Sequence, residues 1–491
     1  MKRVIARRVD AVRADWHGLA VHPRRTKILA TLGPATDAPG RINDLIAAGM
    51  DGGRINCAHG NADSWRARTG QLRDAALRAG RPLALLLDLA GPKMRLGAAV
   101  RARQVTTGET VVFSAGAVTP NGAVPVDWPD LAEAVSVGRS EIVIGDGTPR
   151  LQVVAARGDE GLVVALCERP GAIGPRKGIF CTYVQSPSPV LSERDLADLA
   201  VGVELGADLV ALSFVRSGQD VRRLRGAMDA LGSHARVIAK IEKVEAYEAL
   251  DEIIDVSDGV MVARGDLGVE AGVARVPLIQ KDVIRRAGAQ GKLVITATQM
   301  LESMIEQPEP TRAEAADIAN AILDGTSAVM LSGETTVGRY PVEAVEAMAS
   351  IAREAERGFP LSVDVMSPTA SRPEAVMQSA VHLAQQVSAV ALVVSTVSGG
   401  AARAAAKYRP RLPVVALSEG EQVRRQLALE WGVIPGWLPP RAPTLEQHRQ
   451  VMLERAREIA GLSSGDVVVL AYGPPQAGPS ETSYLAVRTI P

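Results

Sequence analysis

Charged side chains follow several short apolar runs of this sequence, at the points where the runs end. VMVARGDLGVE places Gly265 and Asp266 after four apolar residues, and AKIE places Lys240 and Glu242 two positions apart, on one face of an extended chain. A surface loop uses Gly-Asp merely to turn. In adjacent strands, however, these two carboxylates suit Mg²⁺, which proteins bind through one or two carboxylates plus substrate oxygens. The spacing therefore favours a cation site beside an anionic substrate.

Other polar residues end further apolar runs. Arg54 and Asn56 lie in GRINCAHG, Asp88 ends PLALLLD and Thr298 ends KLVITAT. Each alone has an ordinary structural explanation, such as a solvated charge or a helix N-cap. Gly265 leaves room for backbone N–H groups to approach an anion. Because phosphoryl transfer depends on positioning, a metal and cations, convergence of these residues at one place would favour that chemistry.

Eight short apolar runs, most followed by helical patterns, set the expected architecture. Strands alternating with helices imply a parallel sheet, and eight such units predict a (β/α)₈ TIM barrel, with a doubly wound open sheet as the alternative. Side chains at the carboxyl ends of barrel strands converge on one mouth. The runs are TKILAT (26–31), GGRIN (52–56), PLALLLD (82–88), DLVALSF (208–214), VIAKIE (237–242), GVMVARGD (259–266), KLVITAT (292–298) and SAVMLSGE (327–334).

Two regions interrupt or follow the barrel pattern. Alternating apolar and polar residues after the third run predict an inserted all-β lid domain, and the strands and helices near the C-terminus predict a separate α/β domain reached through a linker at 360–373. The predicted domains are an N-terminal helical arm (1–23), the catalytic barrel (24–96 and 177–350), an inserted β-barrel lid (97–176) and a C-terminal, effector-type α/β domain (351–491).

Bulk composition excludes several classes of protein. The 491 residues include 55 basic and 55 acidic side chains, so bulk charge predicts no nucleic-acid or membrane partner. No apolar run approaches the length of a membrane span. The three cysteines, Cys57, Cys167 and Cys181, are too few for a disulfide scaffold. A cytoplasmic location is expected.

Eight segments of the chain closely resemble the signature segments of pyruvate kinase, in the same order. The resemblance covers almost the whole chain and implies transfer of a phosphoryl group from phosphoenolpyruvate to ADP, giving pyruvate and ATP in the last step of glycolysis. It also implies a homotetramer. The segments are TKILATLGPA, GRINCAHG, LLLDLAGPKMR, AKIE, VMVARGDLGVE, TATQMLESM, PTRAEAADIANAILDG and VMLSGET.

The resemblance assigns roles to individual residues. Glu242 and Asp266 are implied to bind the divalent metal, Mg²⁺ or Mn²⁺, and Lys240 to stabilise the phosphoryl group in flight. Arg54 is implied to contact the phosphate. The Gly265–Asp266 backbone and Thr298 are implied to hold the substrate carboxylate, with Thr298 near the carbon to be protonated. Implied nucleotide contacts are Asn56, His59, Arg95 and Lys177.

The K⁺ pocket of many family members is altered. Asn56 and Asp88 match its ligands, but the serine position is Ala58, the threonine position is Leu89, and a nearby glutamate is replaced by Lys93. The lysine ammonium would supply the positive charge of the ion, so the chain is predicted to be a lysine-type member that does not require K⁺. The alternative is a solvated Lys93 and a K⁺ site completed by water.

Two further segments depart from the family pattern. KGIFCTYVQSPSP (177–189) stands where relatives read close to KGVNLPG, which changes the lid hinge. STVSGG, with Thr396, Ser398 and Gly399, follows a predicted strand and is expected to cradle a phosphate group, an ordinary strand-to-helix turn being the alternative. The resemblance implies that this region binds a sugar-phosphate or nucleotide effector. GPPQAGPSETSY resembles the loop that closes over that effector.

Two other functions remain open from the sequence. A barrel lyase or aldolase acting on pyruvate enolates would use a similar Glu/Asp pair but would need neither Arg95, Lys177 nor the lid. A non-catalytic paralogue that senses phosphoenolpyruvate or sugar phosphates would fit the change at Ala58 and the altered hinge. The retained Lys240 and its neighbours oppose the second alternative.

Overall fold

The computed structural model describes residues 24–92, 94–115, 119–145, 147–184, 189–358, 371–440, 444–474 and 482–491. The predicted N-terminal arm, Lys93 and most of the predicted linker lie outside the described residues. No helix within the described ranges is both long and apolar enough to cross a membrane.

Eight parallel strands close into a barrel, which confirms the predicted architecture. Lys27 of the first strand lies opposite Ala328 of the eighth, so the sheet has no open edge. Inward side chains such as Leu86, Ile238 and Met261 fill the interior, while alternate residues pack against the surrounding helices. Because both faces are covered, the strands read as continuous apolar runs. The strands are Lys27–Thr31, Gly52–Asn56, Ala84–Asp88, Leu209–Leu212, Arg236–Ile241, Gly259–Ala263, Leu293–Ala297 and Ala328–Leu331.

Helices on the outside connect successive strands. Several begin at the N-caps that local sequence predicts: the Ser192 and Thr311 hydroxyls accept hydrogen bonds from backbone N–H groups three residues later. The α-helices are Arg41–Ala48, Ala62–Arg78, Glu193–Glu204, Gly218–Ala230, Val244–Glu248, Leu250–Val256, Arg264–Ala271, Val276–Ala289, Arg312–Leu323, Gly333–Thr336 and Pro341–Gly358, with 3₁₀ turns at Pro34–Thr36 and Glu302–Ile305.

A β-rich domain is inserted between the third and fourth barrel strands. Its six-stranded sheet runs, in spatial order, Ile179–Cys181, Glu141–Ile144, Arg150–Arg157, Leu162–Arg169, Thr110–Ser114 and Val124–Pro125. A second pair joins Gly171–Ile173 to Arg103–Val105, and one short helix spans Leu131–Ala134. We call this domain the lid. The altered hinge sequence therefore supplies an edge strand of the lid sheet.

The C-terminal domain is a five-stranded α/β sheet. Its strands run, in spatial order, Val433–Trp437, Val414–Ser418, Ala391–Ser395, Val467–Tyr472 and Tyr484–Thr489; the last is antiparallel to its neighbour. The helices are Arg372–Gln386, Gly400–Lys407, Glu421–Leu427 and Leu445–Ala460.

A group of buried charges lies at the amino ends of the barrel strands, where the C-terminal domain docks. Asp51 accepts hydrogen bonds from Arg24 at 2.7 Å and from Arg81 at 3.1 Å, and we call these three residues the base cluster. Burial alone would raise the pKa of Asp51, but the surrounding cations lower it to about 2. Lys27 beside them donates to the Val433 carbonyl at 2.8 Å, which ties the barrel to the C-terminal domain.

Candidate active site

Buried charges at the carboxyl ends of the second, third and fifth barrel strands form a continuous network. The Arg54 Nε donates to Asp88 at 2.7 Å, and its Nη1 donates to the Thr31 hydroxyl at 2.9 Å. Lys240 lies 3.3 Å from the other Asp88 oxygen. Burial alone would raise the pKa of Asp88, but the charges of Lys240 and Arg54 outweigh burial and lower it. Three predicted site residues therefore meet as the sequence indicated.

Lys240 connects this network to a second carboxylate. Its Nζ lies 2.9 Å from Glu242 and donates to the Ser213 hydroxyl at 2.7 Å. Burial opposes the charge on Lys240, yet Asp88 and Glu242 raise its pKa above the usual value. The ammonium is therefore held charged in a buried position. We call Arg54, Asp88, Lys240 and Glu242 the mouth cluster.

Glu242 stands one residue beyond the fifth strand and is held from two sides. Besides Lys240, it accepts the Phe214 backbone N–H at 2.7 Å; Phe214 has a left-handed φ of 56°. Burial raises the pKa of Glu242, with the Asp266 charge adding to the rise and Lys240 opposing it. The two carboxylates are therefore close enough for the Asp266 charge to act on Glu242.

Asp266 does not end the sixth strand as the sequence predicted. That strand ends at Ala263, and Asp266 lies in the first turn of the helix Arg264–Ala271. The prediction was wrong because a strand that passes directly into a helix leaves no turn residues to mark the change. At a helix N-terminus the carboxylate is stabilised by the macrodipole.

Asp266 and Glu242 line one cavity between the barrel and the lid. Phe180 and Cys181 of the lid edge strand line the same cavity, as does Glu270. Among the described residues, Asp266 makes no hydrogen bond or ion pair, so its oxygens are free for a ligand. Two carboxylates, one of them unpaired, fit a divalent cation that takes its other ligands from substrate and water. Within the described ranges, no group of three or more His, Cys, Asp or Glu side chains able to hold a metal occurs.

Gly265 and Thr298 are also brought together. The Gly265 N–H donates to the Thr298 hydroxyl at 2.8 Å, and this hydroxyl donates to the Ala297 carbonyl at 2.7 Å. A Cβ added at Gly265 would lie 3.6 Å from the Thr298 oxygen, an ordinary contact, so packing does not require glycine here. This N–H and hydroxyl form a polar edge at the ends of the sixth and seventh strands.

The predicted nucleotide residues lie on the lid and near the second strand. Arg95 forms a β-bridge with Gly178 and donates to the Arg176 carbonyl at 3.1 Å, and Lys177 donates to the Ala172 carbonyl at 2.8 Å. Both are therefore near the lid hinge, where the cation of neither is paired with a carboxylate among the described residues. His59 is exposed.

The altered monovalent-ion pocket is only partly visible. The Asn56 side-chain oxygen accepts the Ala58 N–H at 3.1 Å, and the Leu89 carbonyl accepts the Ser213 hydroxyl at 2.7 Å. Lys93, the predicted replacement for the ion, lies outside the described residues. Two positions that match K⁺ ligands, the Asn56 side-chain oxygen and the Leu89 carbonyl, therefore each accept one hydrogen bond from the protein.

The predicted effector loop borders a cavity of about 320 Å³ in the C-terminal domain. Gly399 has a left-handed φ of 84°, and its N–H donates to the Thr396 hydroxyl at 3.0 Å. The Ser398 carbonyl accepts a hydrogen bond from Arg403 at 2.9 Å, and Lys407 lines the same cavity. The loop therefore lies beside two cations.

Three residues of the mouth escaped the sequence prediction. Ser213 and Phe214 follow the fourth strand. They are the last two residues of the run DLVALSF, so the sequence already placed them at a strand end. Arg264 precedes Gly265, and an arginine at a strand end in VMVARGD was a comparable signal. Only contacts between strands reveal what these residues do.

The barrel, the lid and a mouth of paired carboxylates and buried cations fit a (β/α)₈-barrel enzyme that acts on an anionic substrate. Two family profiles match the chain: "Pyruvate kinase, barrel domain" over residues 23–345 and "Pyruvate kinase, alpha/beta domain" over residues 374–488. The chain belongs to the pyruvate kinase family. This membership implies a divalent metal ion, with phosphoenolpyruvate and ADP as substrates.

Named relatives agree along nearly the whole chain. The pyruvate kinase of Geobacillus stearothermophilus is 40% identical over 475 residues, covering 95% of this chain and 80% of the relative. That of Mycobacterium tuberculosis is 40% identical over 469 residues, covering 95% and 98%. That of Clostridium acetobutylicum is 36% identical over 475 residues, covering 95% and 100%.

Proposed function

We propose that this chain transfers the phosphoryl group of phosphoenolpyruvate to ADP at the barrel mouth, giving pyruvate and ATP. The observation that carries the proposal is the placement of Lys240 2.9 Å from Glu242, which shares a cavity with Asp266. A buried ammonium beside a pair of metal-binding carboxylates is suited to a phosphoryl group in transfer.

Glu242 and Asp266 would hold the ion, with Mg²⁺ as the proposed metal and Mn²⁺ as the alternative. When bound, the ion would neutralise substrate oxygens and bring phosphate and carboxylate into one orientation. Lys240 and Arg54 stabilise charge on the phosphoryl oxygens, and Lys240 is fixed in advance by its bonds to neighbouring strands.

The sixth and seventh strands supply the other half of the site. We assign the Gly265–Asp266 backbone and Thr298 to the substrate carboxylate. In the free protein the Gly265 N–H donates to Thr298 and the Thr298 hydroxyl donates to Ala297, so a bound carboxylate would replace or share these bonds. Thr298 is also assigned to the neighbourhood of the enolate carbon, which takes up a proton after transfer. Ketonisation of enolpyruvate then makes the forward reaction strongly favourable.

We assign nucleotide binding to the lid and its hinge. Asn56, His59, Arg95 and Lys177 are the proposed contacts, with the last two on the lid side of the cleft. Closing the lid over the mouth would exclude water from the transferred group. The proposed domain division keeps the expected limits, barrel 24–96 and 177–350, lid 97–176 and C-terminal domain 351–491, with two exceptions. The strand Ile179–Cys181 belongs to the lid sheet, and the helix Pro341–Gly358 continues past residue 350.

A coupled assay tests the activity directly. Purified protein is incubated with phosphoenolpyruvate, ADP and either Mg²⁺, Mn²⁺ or EDTA, and ATP and pyruvate are measured together. The expected result is equal formation of both products with either metal and neither with EDTA. Pyruvate and inorganic phosphate formed without ADP would indicate hydrolysis by water instead of transfer to ADP. No turnover of phosphoenolpyruvate would favour a lyase acting on another substrate, or a sensor if phosphoenolpyruvate still binds; each of these results contradicts the proposal.

We further propose the lysine-type, K⁺-independent form of the reaction. Support comes from two sequence changes: Lys93 replaces a glutamate of K⁺-dependent members, and Ala58 removes a hydroxyl ligand of the ion. The assay is repeated in K⁺-free buffer with and without KCl. Equal rates are expected, whereas many-fold activation by KCl contradicts the proposal.

The loop at Thr396, Ser398 and Gly399 is proposed to bind a phosphorylated effector, because Arg403 and Lys407 lie beside it at a cavity. Calorimetric titration with AMP and with fructose 1,6-bisphosphate tests this site, and Ser398→Asp should weaken whichever ligand binds. If neither ligand binds, the effector site is contradicted and the catalytic proposal is not affected.

A homotetramer is proposed on family resemblance and is tested by light scattering.

A further inference from the structure

Two consecutive residues at the end of the seventh strand adopt left-handed backbone conformations. Thr298 has a φ of 67° and Gln299 a φ of 53°. Non-glycine residues rarely adopt this region, and a β-branched residue such as threonine is a genuine outlier there. Such outliers persist only where surrounding contacts over-determine them, and they concentrate at functional sites.

Arg264 supplies those contacts. Its Nη2 donates to the carbonyl of Thr298 at 2.7 Å and to that of Gln299 at 3.0 Å, and its Nε donates to the Thr298 carbonyl at 3.2 Å. One planar guanidinium therefore fixes both left-handed carbonyls. The fork geometry matters because an ammonium, a point charge, cannot hold two carbonyls in set orientations.

The guanidinium is itself anchored. Its Nη1 pairs with Asp317 at 2.5 Å, and the Arg264 side chain is only 8% exposed. Asp317, on the helix Arg312–Leu323, is 41% exposed. The anchor thus comes from outside the mouth, while the donors point to the strand end.

The residue after Arg264 holds Thr298 from the opposite side. The Gly265 N–H donates to the Thr298 hydroxyl, so positions 264 and 265 fix the backbone and the side chain of one threonine. We infer that Arg264 is a positioning residue, which sets the Thr298 hydroxyl and the Gly265 N–H in the geometry the reaction uses. The inference rests on the proposed function, since it concerns the same site.

Arg73 provides a matched control at the base of the barrel. It donates to the Leu83 and Gly206 carbonyls, each at 2.9 Å, and pairs with Asp208 at 3.0 Å. It therefore has the same combination of two carbonyls and one carboxylate without any contact to the mouth.

The experiment compares Arg264→Lys with Arg73→Lys in the full-length protein. Misplacing reacting groups by about 1 Å costs on the order of 10²-fold, so Arg264→Lys should lower kcat by about 10- to 100-fold. The KM for phosphoenolpyruvate should change less, and metal-dependent exchange of the pyruvate methyl protons with D₂O should fall with kcat. Arg73→Lys should leave kcat and exchange within twofold of the parent.

A second readout needs neither substrate nor metal. Hydrogen exchange of peptides covering 264–301, followed by mass spectrometry, should accelerate at the Gly265 amide in Arg264→Lys but not in Arg73→Lys. If Arg264→Lys does not fold, Asp317→Asn keeps the guanidinium but removes its anchor, and should give a smaller fall in kcat with faster local exchange.

The outcomes separate the two proposals. A parent protein that forms no ATP contradicts the proposed function. With an active parent, the positioning role is overturned if kcat and exchange in Arg264→Lys, or in Asp317→Asn where only that variant folds, stay within twofold of the parent. It is also overturned if Arg73→Lys lowers them equally, because the effect would then be general loss of barrel stability.

Discussion

The two ends of the barrel each bury an aspartate between two cations, but they treat it differently. At the base, Asp51 accepts from Arg24 and Arg81 and from the backbone N–H of Ile28. At the mouth, Asp88 also has two cationic partners, but one of them, Lys240, is shared with a second carboxylate.

That sharing distinguishes a site from a structural ion pair. The charges of the base cluster pair with one another, whereas the mouth continues through Glu242 to the free carboxylate of Asp266 in the cavity under the lid. In (β/α)₈ barrels, polar residues at the amino ends of strands serve stability and those at the carboxyl ends serve catalysis. Burial of charge alone therefore does not mark function; an unsatisfied partner in a cavity does.

The largest expected effect is on stability and comes from the base. Asp51→Asn leaves buried cations without their carboxylate, which typically costs about 3–5 kcal/mol. We expect a lower melting temperature in calorimetry and an unchanged kcat for the folded protein. Substitution of the exposed Asp63 by asparagine is the control. If Asp51→Asn has the melting temperature of the parent protein, the base cluster does not contribute to stability as proposed.

At the mouth the expected loss is one of rate. Lys240→Met removes one transition-state charge contact, which typically costs on the order of 10²–10³ in kcat. Asp88 keeps Arg54, but the buried Glu242 loses its cation, so the melting temperature should also fall, and kcat is compared per folded protein. The coupled assay measures the rate, with Lys292→Met, a lysine at the amino end of the seventh strand, as control. Unchanged turnover would remove Lys240 from its assigned role.

The stability contributed by the base should depend on pH. Because the pKa of Asp51 is lowered from 3.8 to about 2, its contribution is present in full above about pH 4 and is lost as pH falls through about 2. The pH-dependent part amounts to about 2 kcal/mol. The melting-temperature gap between the parent and Asp51→Asn should therefore narrow on acidification; a constant gap would show that charge is not the cause.

A smaller effect is expected where the lid meets the barrel. Arg150 of the lid donates to the Val269 carbonyl at 3.2 Å, on the helix that carries Asp266. Arg150 also pairs with Glu141 at 2.9 Å and donates to the Gly147 carbonyl at 3.3 Å, both within the lid. The bond to Val269 is the one that joins lid and barrel, and losing one such bond costs about 1 kcal/mol, so Arg150→Ala should raise the KM for ADP by about fivefold with little change in kcat. Arg157→Ala, an exposed residue on the same lid strand, is the control. If the KM for ADP is the same in both variants, the bond between Arg150 and Val269 does not contribute to lid closure.

The barrel was predictable because its strands are buried on both faces and are marked by apolar runs. The strand Val433–Trp437 in the C-terminal domain was missed, because Pro435 and Gly436 normally argue against a strand. Neighbouring strands supplied pairing that overrode this local signal. The sixth barrel strand was predicted to end three residues too late. Here the local signal was missing, since no strand-breaking residue separates the strand from the helix that follows.

The sequence alone indicated which residues lie at or just beyond the carboxyl ends of strands, the sixth strand excepted. It follows that Lys240, Glu242 and Asp88 would face one mouth, because chain direction assigns each strand end to one face of a barrel. The sequence did not determine which side chains touch. Arg264 holding Thr298, Ser213 accepting Lys240 and the pairing of Arg54 with Asp88 join residues distant in the chain. Only closure of the barrel decides them, because contacts between strands depend on spatial order and register rather than on local propensity.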